Sequence, residues 1–169
     1  MTHVPCHAFL GLGSNKGESE RLLAEARDRI SRIPQTSLVA VSSIYRTQPQ
    51  LHADQPWFWN QVVRVATSIS PWELLTATQA IEAELGRDRD HEVRFGPRTM
   101  DIDILLFGDT RIEGSVLTLP HPRLAERAFM LVPLLELEPE AALPDGTLLR
   151  EALARIAYTC RDGHIWQPN

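Results

Sequence analysis

Two aspartates, two positions apart, open an apolar segment that follows an arginine-bearing loop. Asp101 and Asp103 begin the segment 101–107, and Arg94 and Arg98 precede it around a Gly-Pro turn. Because side chains alternate across a strand, both carboxylates would point to the same face. Two neighbouring carboxylates beside apolar side chains are costly unless cations share their charge. A divalent metal ion carrying a polyphosphate would supply that charge, with Arg94 and Arg98 holding phosphate oxygens, so the pattern predicts a metal–nucleotide site.

Each part of this motif has a simpler explanation when it is taken alone. Paired surface acids are common on strands, and the arginines of residues 87–98 interleave with Asp88, Asp90 and Glu92, as in many solvated loops. The combination is more informative, because phosphoryl transfer needs a metal bridge and cationic clamps around the same oxygens. His121, held between two prolines, adds little by itself, since a loop histidine is more often structural than catalytic.

A second candidate set is aromatic and polar. A planar heterocycle would need a ring on each of its faces and an amide at its edge, although clustered aromatic residues more often belong to a hydrophobic core. The candidates are Thr47, Trp57, Phe58, Trp59, Asn60 and Phe129.

A glycine-containing segment at 11–15 is not a nucleotide-binding loop by its sequence. It lacks the third glycine of a dinucleotide fingerprint and the Gly-Lys-Ser/Thr of a P-loop. We interpret Gly11 and Gly13 as a tight exit from a strand, with close approach of a ligand as a secondary explanation.

Composition bounds the class of protein. The chain has 169 residues, 43% hydrophobic and 23% charged, which fits a single domain over 1–169. A net charge of −5 argues against a general nucleic-acid binder, and no apolar run approaches the length of a membrane span. Cys6 and Cys160 lack the spacing of a zinc or disulfide motif, and the start lacks a signal-peptide pattern, so we expect a cytoplasmic protein.

Hydrophobic periodicity predicts the elements that must carry these residues. We expect a strand over 7–13, a helix over about 18–33, a strand over about 36–46, another ending near 69, and a strand over 101–107. The order β-α-β-β-α-β, completed by a second helix before the last strand, predicts an α+β fold. Its core would be ferredoxin-like, an antiparallel sheet packed against helices, with a C-terminal extension.

Turn and cap residues predict the ends of the later elements. Ser70 as N-cap, Pro71 at the first helical position and Glu73 two residues later predict a capping box, and Gly86 predicts the end of that helix. Gly108-Asp109 predicts a hairpin turn between the strand over 101–107 and a further strand over 110–112. A final helix is expected from about residue 147.

Taken together, these segments closely resemble the 6-hydroxymethyl-7,8-dihydropterin pyrophosphokinase family, whose members transfer diphosphate from ATP to a pterin alcohol in the folate pathway. The resemblance covers nearly the whole chain, and its most specific part is the Arg-x-Gly-Pro-Arg-x-x-Asp-x-Asp core at 94–103. Its other landmarks are 10–15, 42–47, 54–56 with Phe58 and Asn60, Glu82 with 86–87, 120–123 and 127–129.

The resemblance implies a role for each matching position. Asp101 and Asp103 would bind two Mg²⁺ ions that bridge the phosphates of ATP, and Asp101 would also touch the pterin. The catalytic residues, from a mobile loop that closes over the triphosphate, would be Arg89, Arg94 and Arg98. The residues holding ATP would be Gln79, Glu82, Thr118, His121 and Arg127. The residues around the pterin would be Phe58 and Phe129 on its faces, with Asn60 and Thr47 at its edge.

Some positions depart from the best-known pattern of the family. The loop aromatic residue, often tryptophan, is Phe95, and a stacking position that is tyrosine in some members is Phe58. An arginine that contacts ATP in some members is replaced by Val116. The loop is one residue longer, and we assign Arg89 rather than Arg87 as the catalytic arginine. Neither metal carboxylate is affected.

Two other functions remain open from the residues alone. A non-catalytic ferredoxin-like module that senses a nucleotide would explain the arginines but not the paired aspartates. A two-metal nucleotidyl transferase would act at the α-phosphorus and release pyrophosphate rather than AMP. We expect small-molecule partners, here ATP and the hydroxymethyl dihydropterin, and a monomer with no nucleic-acid or membrane partner.

Overall fold

A seven-stranded sheet forms the centre of the fold in the computed structural model, which describes residues 4–50 and 53–168. The first half of the chain contributes β1 (Cys6–Ser14), α1 (Ser19–Ser31), β2 (Thr36–Val41), β3 (Tyr45–Thr47), β4 (Phe58–Thr67) and α2 (Pro71–Glu84). The second half contributes β5 (Asp101–Phe107), β6 (Ile112–Glu113), β7 (Thr118–Leu119), α3 (Ala128–Leu137), α4 (Leu149–Ala154), β8 (Thr159–Arg161) and β9 (His164–Trp166).

The strand order confirms the ferredoxin-like core. β5, β1 and β4 lie side by side, β2 and β3 both pair with the other edge of β4, and all of these pairs are antiparallel. The strand predicted over 36–46 is divided into β2 and β3. Between them the Ser42 N–H donates to the Val62 carbonyl, and the Ser42 hydroxyl accepts from the Val62 N–H, each at 2.9 Å. The side chain of Ser42 therefore replaces one backbone acceptor at the break.

Helices cover both faces of the sheet. α1 and α2 pack on one face, where Leu23 and Leu74 are fully buried, and α3 and α4 of the C-terminal extension pack on the other, around Leu131. Alternation along a strand supplies both cores, since Ile104 of β5 belongs to the first and its neighbour Leu105 to the second. Among the described helices, none combines the length and the apolar sequence that a membrane crossing requires.

The helix α2 has the ends that its sequence predicts. The Ser70 hydroxyl accepts from the Glu73 N–H at 3.2 Å, and the Glu73 carboxylate accepts from the Ser70 N–H at 2.7 Å. Gly86 follows the helix with a φ of 91°, a conformation that favours glycine. The capped helix thus fixes the point where residues 86–98, which we call the arginine loop, leave the fold.

The hairpin predicted after β5 is wrong. A turn does form at Gly108, but the chain beyond it pairs β6 with β7 instead of returning along β5. The outer edge of β5 is used differently, because the His121 N–H donates to the Leu105 carbonyl at 2.9 Å. This bond ties the segment of His121 to the strand that carries the paired aspartates.

Candidate active site

Asp101 and Asp103 lie on β5 opposite two glycines of β1. Asp101 pairs with Gly13 and Asp103 with Gly11, so the neighbouring strand adds no side chain beside either carboxylate. A Cβ at Gly13 would stand 2.8 Å from the Asn60 side-chain oxygen. Both glycines lie inside β1, so the interpretation as a strand exit is wrong. Their place beside a cavity favours the secondary explanation, close approach of a ligand.

The two carboxylates form an electrostatically costly pair. Burial, reinforced by the charges of Asp101 and Glu82, raises the pKa of Asp103 to about 8. The positive charges of Arg98 and Arg127 act in the opposite direction but do not cancel this effect. An acid with such a pKa holds a proton near neutral pH, and a bound cation would displace it.

Arg87 is the centre of an ion network beside this pair. Its guanidinium donates to Glu82 at 2.6 Å, to Asp101 at 2.8 Å and to the two carboxylate oxygens of Glu92 at 2.9 and 3.2 Å. Only 5% of the Arg87 side chain is exposed, so solvent screens these ion pairs weakly. From the sequence we assigned Arg89 rather than Arg87 as the catalytic arginine. In the structure it is Arg87 that contacts Asp101.

Arg98 and Arg89 extend the network. Arg98 donates to the second Asp101 oxygen at 2.8 Å, so each oxygen of Asp101 accepts from a guanidinium. Arg89 is exposed and donates to Glu82 at 2.6 Å. Glu82 is itself buried and accepts from the Ile102 N–H at 3.1 Å, and burial raises its pKa despite the arginines. Glu82 therefore faces the arginine loop and ties it to β5.

A cavity beside the carboxylates collects the residues predicted to bind a heterocycle. Its walls include Thr47, Phe58, Asn60, Arg98, Asp101, Asp103, Arg127 and Phe129. The Asn60 amide donates to the Thr47 hydroxyl at 2.6 Å, which orients both groups. The cavity combines aromatic faces with amide, carboxylate and guanidinium groups, the chemistry that a flat polar ligand requires.

The two tryptophans of the aromatic set lie elsewhere. β4 begins at Phe58, and alternation along the strand turns Phe58 towards the cavity and Trp59 away from it. Trp59 lies under the guanidinium of Arg46, 4.4 Å from the ring centroid. Trp57 is exposed, and its ring lies 6.0 Å from that of His164.

Five wall residues were not predicted from the sequence: Gln48, Gln50, Gln61, Val62 and Met130. Gln48 directly follows Thr47, and Met130 directly follows Phe129. Their position next to a predicted residue is the feature of the sequence that could have indicated them. Phe95, the aromatic residue of the arginine loop, also lines the cavity. The loop therefore contributes an apolar surface as well as charge.

Asn15 holds the end of the arginine loop in place. Its side-chain amide donates to the Gln55 side chain at 3.0 Å and to the Pro56 carbonyl at 2.9 Å, and its side-chain oxygen accepts from the Arg98 N–H at 2.9 Å. The Gln55 amide in turn donates to the Phe95 carbonyl at 2.8 Å. Asn15 thus joins the end of β1, the segment leading into β4, and the arginine loop.

His121 and Arg127 lie close enough to the aspartates for the negative charge to affect the pKa of each side chain. The His121 Nδ1 accepts from the Arg123 N–H at 3.1 Å, which places the proton of the neutral ring on Nε2. Burial, together with the charge of Arg127, lowers the pKa of His121 to about 4. The ring is therefore a neutral donor at physiological pH.

Six predicted residues are not part of the cavity wall: Gln79, Glu82, Arg89, Arg94, Thr118 and His121. Gln79 is exposed on α2, and Arg94 is exposed with its guanidinium 4.9 Å from the Phe95 ring. Thr118 donates to the Gly114 carbonyl at 3.0 Å. Their roles towards a nucleotide stay predictions.

The donor set of the pair fits Mg²⁺. Within 4–50 and 53–168, no three acidic, histidine or cysteine side chains converge as a complete protein metal site would require. Mg²⁺ usually takes one or two carboxylates from the protein and its other ligands from water and substrate phosphates. Asp101 and Asp103, with the raised pKa of Asp103, offer that partial set.

Two relatives of the chain carry the same enzyme name. A 2-amino-4-hydroxy-6-hydroxymethyldihydropteridine pyrophosphokinase from Pseudomonas aeruginosa is 47% identical over 150 residues, covering 89% of this chain and 91% of the relative. The protein of the same name from Bacillus subtilis is 48% identical over 130 residues, 77% of each chain.

A solved structure supports the fold. The Plasmodium falciparum HPPK-DHPS with pteroate superimposes with a TM-score of 0.70 at 14% identity, covering 95% of this chain and 47% of that longer one. The family model for 7,8-dihydro-6-hydroxymethylpterin-pyrophosphokinase matches residues 9–139, a span that contains both aspartates, the arginine loop and the cavity residues. The chain therefore belongs to the 7,8-dihydro-6-hydroxymethylpterin-pyrophosphokinase family.

Proposed function

We propose that the cavity brings the two substrates of this family together, with the pterin between the phenylalanines and the triphosphate of ATP beside the aspartates. The chain is an ATP-dependent pyrophosphokinase of folate biosynthesis, which transfers diphosphate to 6-hydroxymethyl-7,8-dihydropterin. The observation that carries the placement is the continuity of the cavity, whose walls run from Phe58 and Phe129 to Asp101 and Asp103.

The pterin assignment rests on four wall residues. We assign Phe58 and Phe129 to the two faces of the ring, because aromatic surfaces stack on a planar heterocycle. Asn60 and Thr47, already oriented by their mutual hydrogen bond, are assigned to the polar edge of the ring. Asp101 would meet the hydroxymethyl end, where the pterin and phosphate parts of the cavity join.

The nucleotide assignment uses residues around the aspartates. His121, neutral with its proton on Nε2, can donate to a phosphate or ribose oxygen, and Arg127 supplies positive charge from the cavity wall. The full set assigned to ATP is Gln79, Glu82, Thr118, His121 and Arg127. Glu82 would act through the arginines that it holds, since its carboxylate already accepts from Arg87 and Arg89.

We assign Asp101 and Asp103 as the protein ligands of two Mg²⁺ ions. Bound Mg²⁺ would supply positive charge to the bridging phosphate oxygens of ATP. The guanidinium groups of Arg87 and Arg98 each donate to one Asp101 oxygen, and each oxygen keeps a further lone pair that could bind a metal ion.

The proposed reaction is an in-line transfer in which the pterin hydroxymethyl oxygen attacks the β-phosphorus and AMP leaves. Arg98 lies at the carboxylate pair, and Arg89 and Arg94 are carried by the arginine loop, so all three can neutralise charge on the phosphates once the loop closes. Phosphoryl transfer depends mainly on positioning and electrostatics, so the assignment includes no general base.

An assay of AMP release from ATP, with and without the reduced hydroxymethylpterin, tests the reaction. We expect AMP only when the pterin is present. Release of pyrophosphate would instead indicate attack at the α-phosphorus, and binding without turnover would indicate a non-catalytic module. A Phe129→Ala variant should raise the pterin KM at least about tenfold through lost stacking, with exposed Trp72→Ala as the control.

We also propose that residues 1–169 act as one domain, as a monomer, in the cytoplasm. The wall residues assigned to the pterin and to the metal ions all lie in this chain, which supports a monomer. Cys6 and Cys160 are both free thiols, as is common for proteins of a reducing compartment. Light scattering during size-exclusion chromatography would test the monomer, and a dimer mass would contradict it.

A further inference from the structure

Residues beyond the family match form part of the sheet and reach the cavity walls. The match ends at residue 139, whereas β8 and β9 follow some twenty residues later. β9 pairs in parallel with β3, with Ile165 opposite Thr47, and Ile165 is only 1% exposed. Its burial fixes the path of the residues that come next.

Gln167 joins the two sides of the cavity. Its backbone N–H donates to the Gln48 side-chain oxygen at 2.9 Å, and its carbonyl accepts from the amide of the same side chain. Its own side-chain oxygen accepts from the Ala128 N–H at 2.9 Å, and its amide donates to the Glu126 carbonyl at 2.8 Å. One residue thereby holds the chain after β3 and the start of α3.

Gln167 bonds one residue of the cavity wall and a segment next to that wall. Gln48 lines the cavity, and Ala128 lies between Arg127 and Phe129, which also line it. The first N–H groups of a helix have no partner within the helix, and Arg127 provides no side-chain cap for α3. Gln167 supplies one missing acceptor from a distant part of the chain.

We infer that Gln167 is a positioning residue for pterin binding. By bonding Gln48 on one side and the first turn of α3 on the other, it sets the distance between Thr47 and the Phe129 ring. This inference rests on the proposed function, in which the pterin stacks on Phe129. Gln167 is not among the wall residues of the cavity, so it acts through its neighbours.

Three variants of the full chain test this inference. Gln167→Ala removes both side-chain bonds to the start of α3. Gln167→Glu keeps an acceptor for the Ala128 N–H, where negative charge is favourable, and loses only the donor to Glu126. Pro168→Ala is the matched control, because Pro168 is the exposed next residue.

For Gln167→Ala we expect the pterin KM, and the pterin Kd measured by calorimetry, to rise about tenfold from the loss of two hydrogen bonds. The ATP KM should rise less than the pterin KM, because Asp101 and Asp103 lie on β5 and only Arg127, of the residues assigned to ATP, adjoins the lost bonds. Gln167→Glu should recover part of the loss, and Pro168→Ala should match the unmodified chain. If Gln167→Ala does not fold, the partial loss in Gln167→Glu carries the test.

Two outcomes would overturn the inference. Unchanged pterin affinity in Gln167→Ala, with weakened affinity in Phe129→Ala, would remove the role of Gln167 and leave the proposed function intact. A parallel rise in both KM values with a lower melting temperature would show general destabilisation instead of positioning. Unchanged pterin affinity in Phe129→Ala would overturn the pterin placement itself.

Discussion

At the scale of single residues, the site brings acidic side chains together in a poorly solvated position, which is unfavourable for the stability of the fold. Desolvation and the charges of Asp101 and Glu82 raise the pKa of Asp103 to about 8. Acids whose pKa is shifted by burial and a neighbouring charge are frequent at functional sites. The arginines at Asp101 offset part of this cost until the substrates arrive.

Asp103→Asn should separate activity from stability. The amide keeps the size of the side chain and removes the unfavourable ionised form, so the melting temperature should stay the same or rise. Loss of a metal carboxylate should lower the rate of AMP release on the order of a thousandfold. Asp109→Asn, at an exposed acid beyond β5, is the control and should retain full activity. Near-normal turnover of Asp103→Asn at saturating Mg²⁺ would refute the metal assignment.

The raised pKa of Asp103 also predicts proton release on metal binding. Below pH 8 the carboxyl carries a proton that Mg²⁺ must displace, so the apparent affinity for Mg²⁺ with a non-hydrolysable ATP analogue should increase from pH 6 to pH 8. The slope should approach about tenfold per pH unit for one proton. Calorimetry in two buffers of different ionisation enthalpy measures this proton directly. Equal binding heats in both buffers would show that no proton is released.

At the scale of elements, the arginine loop combines a fixed end with an exposed middle. The Arg98 N–H donates to Asn15, and the Gly96 N–H donates to the Val93 carbonyl at 2.8 Å. Arg94 and Arg89, in contrast, are exposed. A loop of this kind can close over a substrate by moving its middle while its end stays attached.

Hydrogen exchange should resolve these two parts of the loop. In the free protein we expect the amide of Arg98 to exchange slowly and those of residues 88–94 to exchange quickly, with protection of 88–94 on addition of a Mg²⁺–ATP analogue. Asn15→Ala should speed exchange at Arg98 without abolishing protection in the β1–β4 pair. Equal protection of 88–94 with and without the analogue would contradict loop closure.

A structural feature is predictable from the sequence when the residues that determine it lie close together along the chain. The ends of α2 were predicted because Ser70 and Glu73 bond each other within one turn. The hairpin after β5 failed because the bond between His121 and Leu105 joins residues sixteen positions apart along the chain. Such distant contacts leave no periodic signal in a single sequence.

The same distinction holds for the site. Motif spacing predicted both aspartates, and the aromatic cluster together with the family resemblance predicted Phe58. The structure places all three around one cavity. The sequence did not indicate that Arg87 would be buried against Glu92, or that Gln167 would meet the start of α3, because both depend on how separate elements pack.

At the scale of the whole molecule, the cavity lies between strands of the sheet, the arginine loop and the helix α3. The ferredoxin-like half contributes Asp101, Asp103, Phe58 and Asn60, and the helix α3 on the opposite face contributes Phe129. Neither half contains the complete set of wall residues. Pterin binding in the proposed orientation therefore requires both the sheet and α3 to be folded.

This arrangement predicts a single cooperative unfolding transition. Ile30 in one core and Leu134 in the other are fully buried, and truncating either to alanine should cost about 2–5 kcal/mol. Because β1 and β5 supply side chains to both cores, each variant should lower the same melting temperature, seen alike by calorimetry, far-ultraviolet and near-ultraviolet circular dichroism. Val39→Ala, at a half-exposed position of β2, is the control and should shift the transition little. Two separated transitions, or a variant that moves one probe and not the others, would show that the layers unfold independently and that residues 1–169 are not one domain.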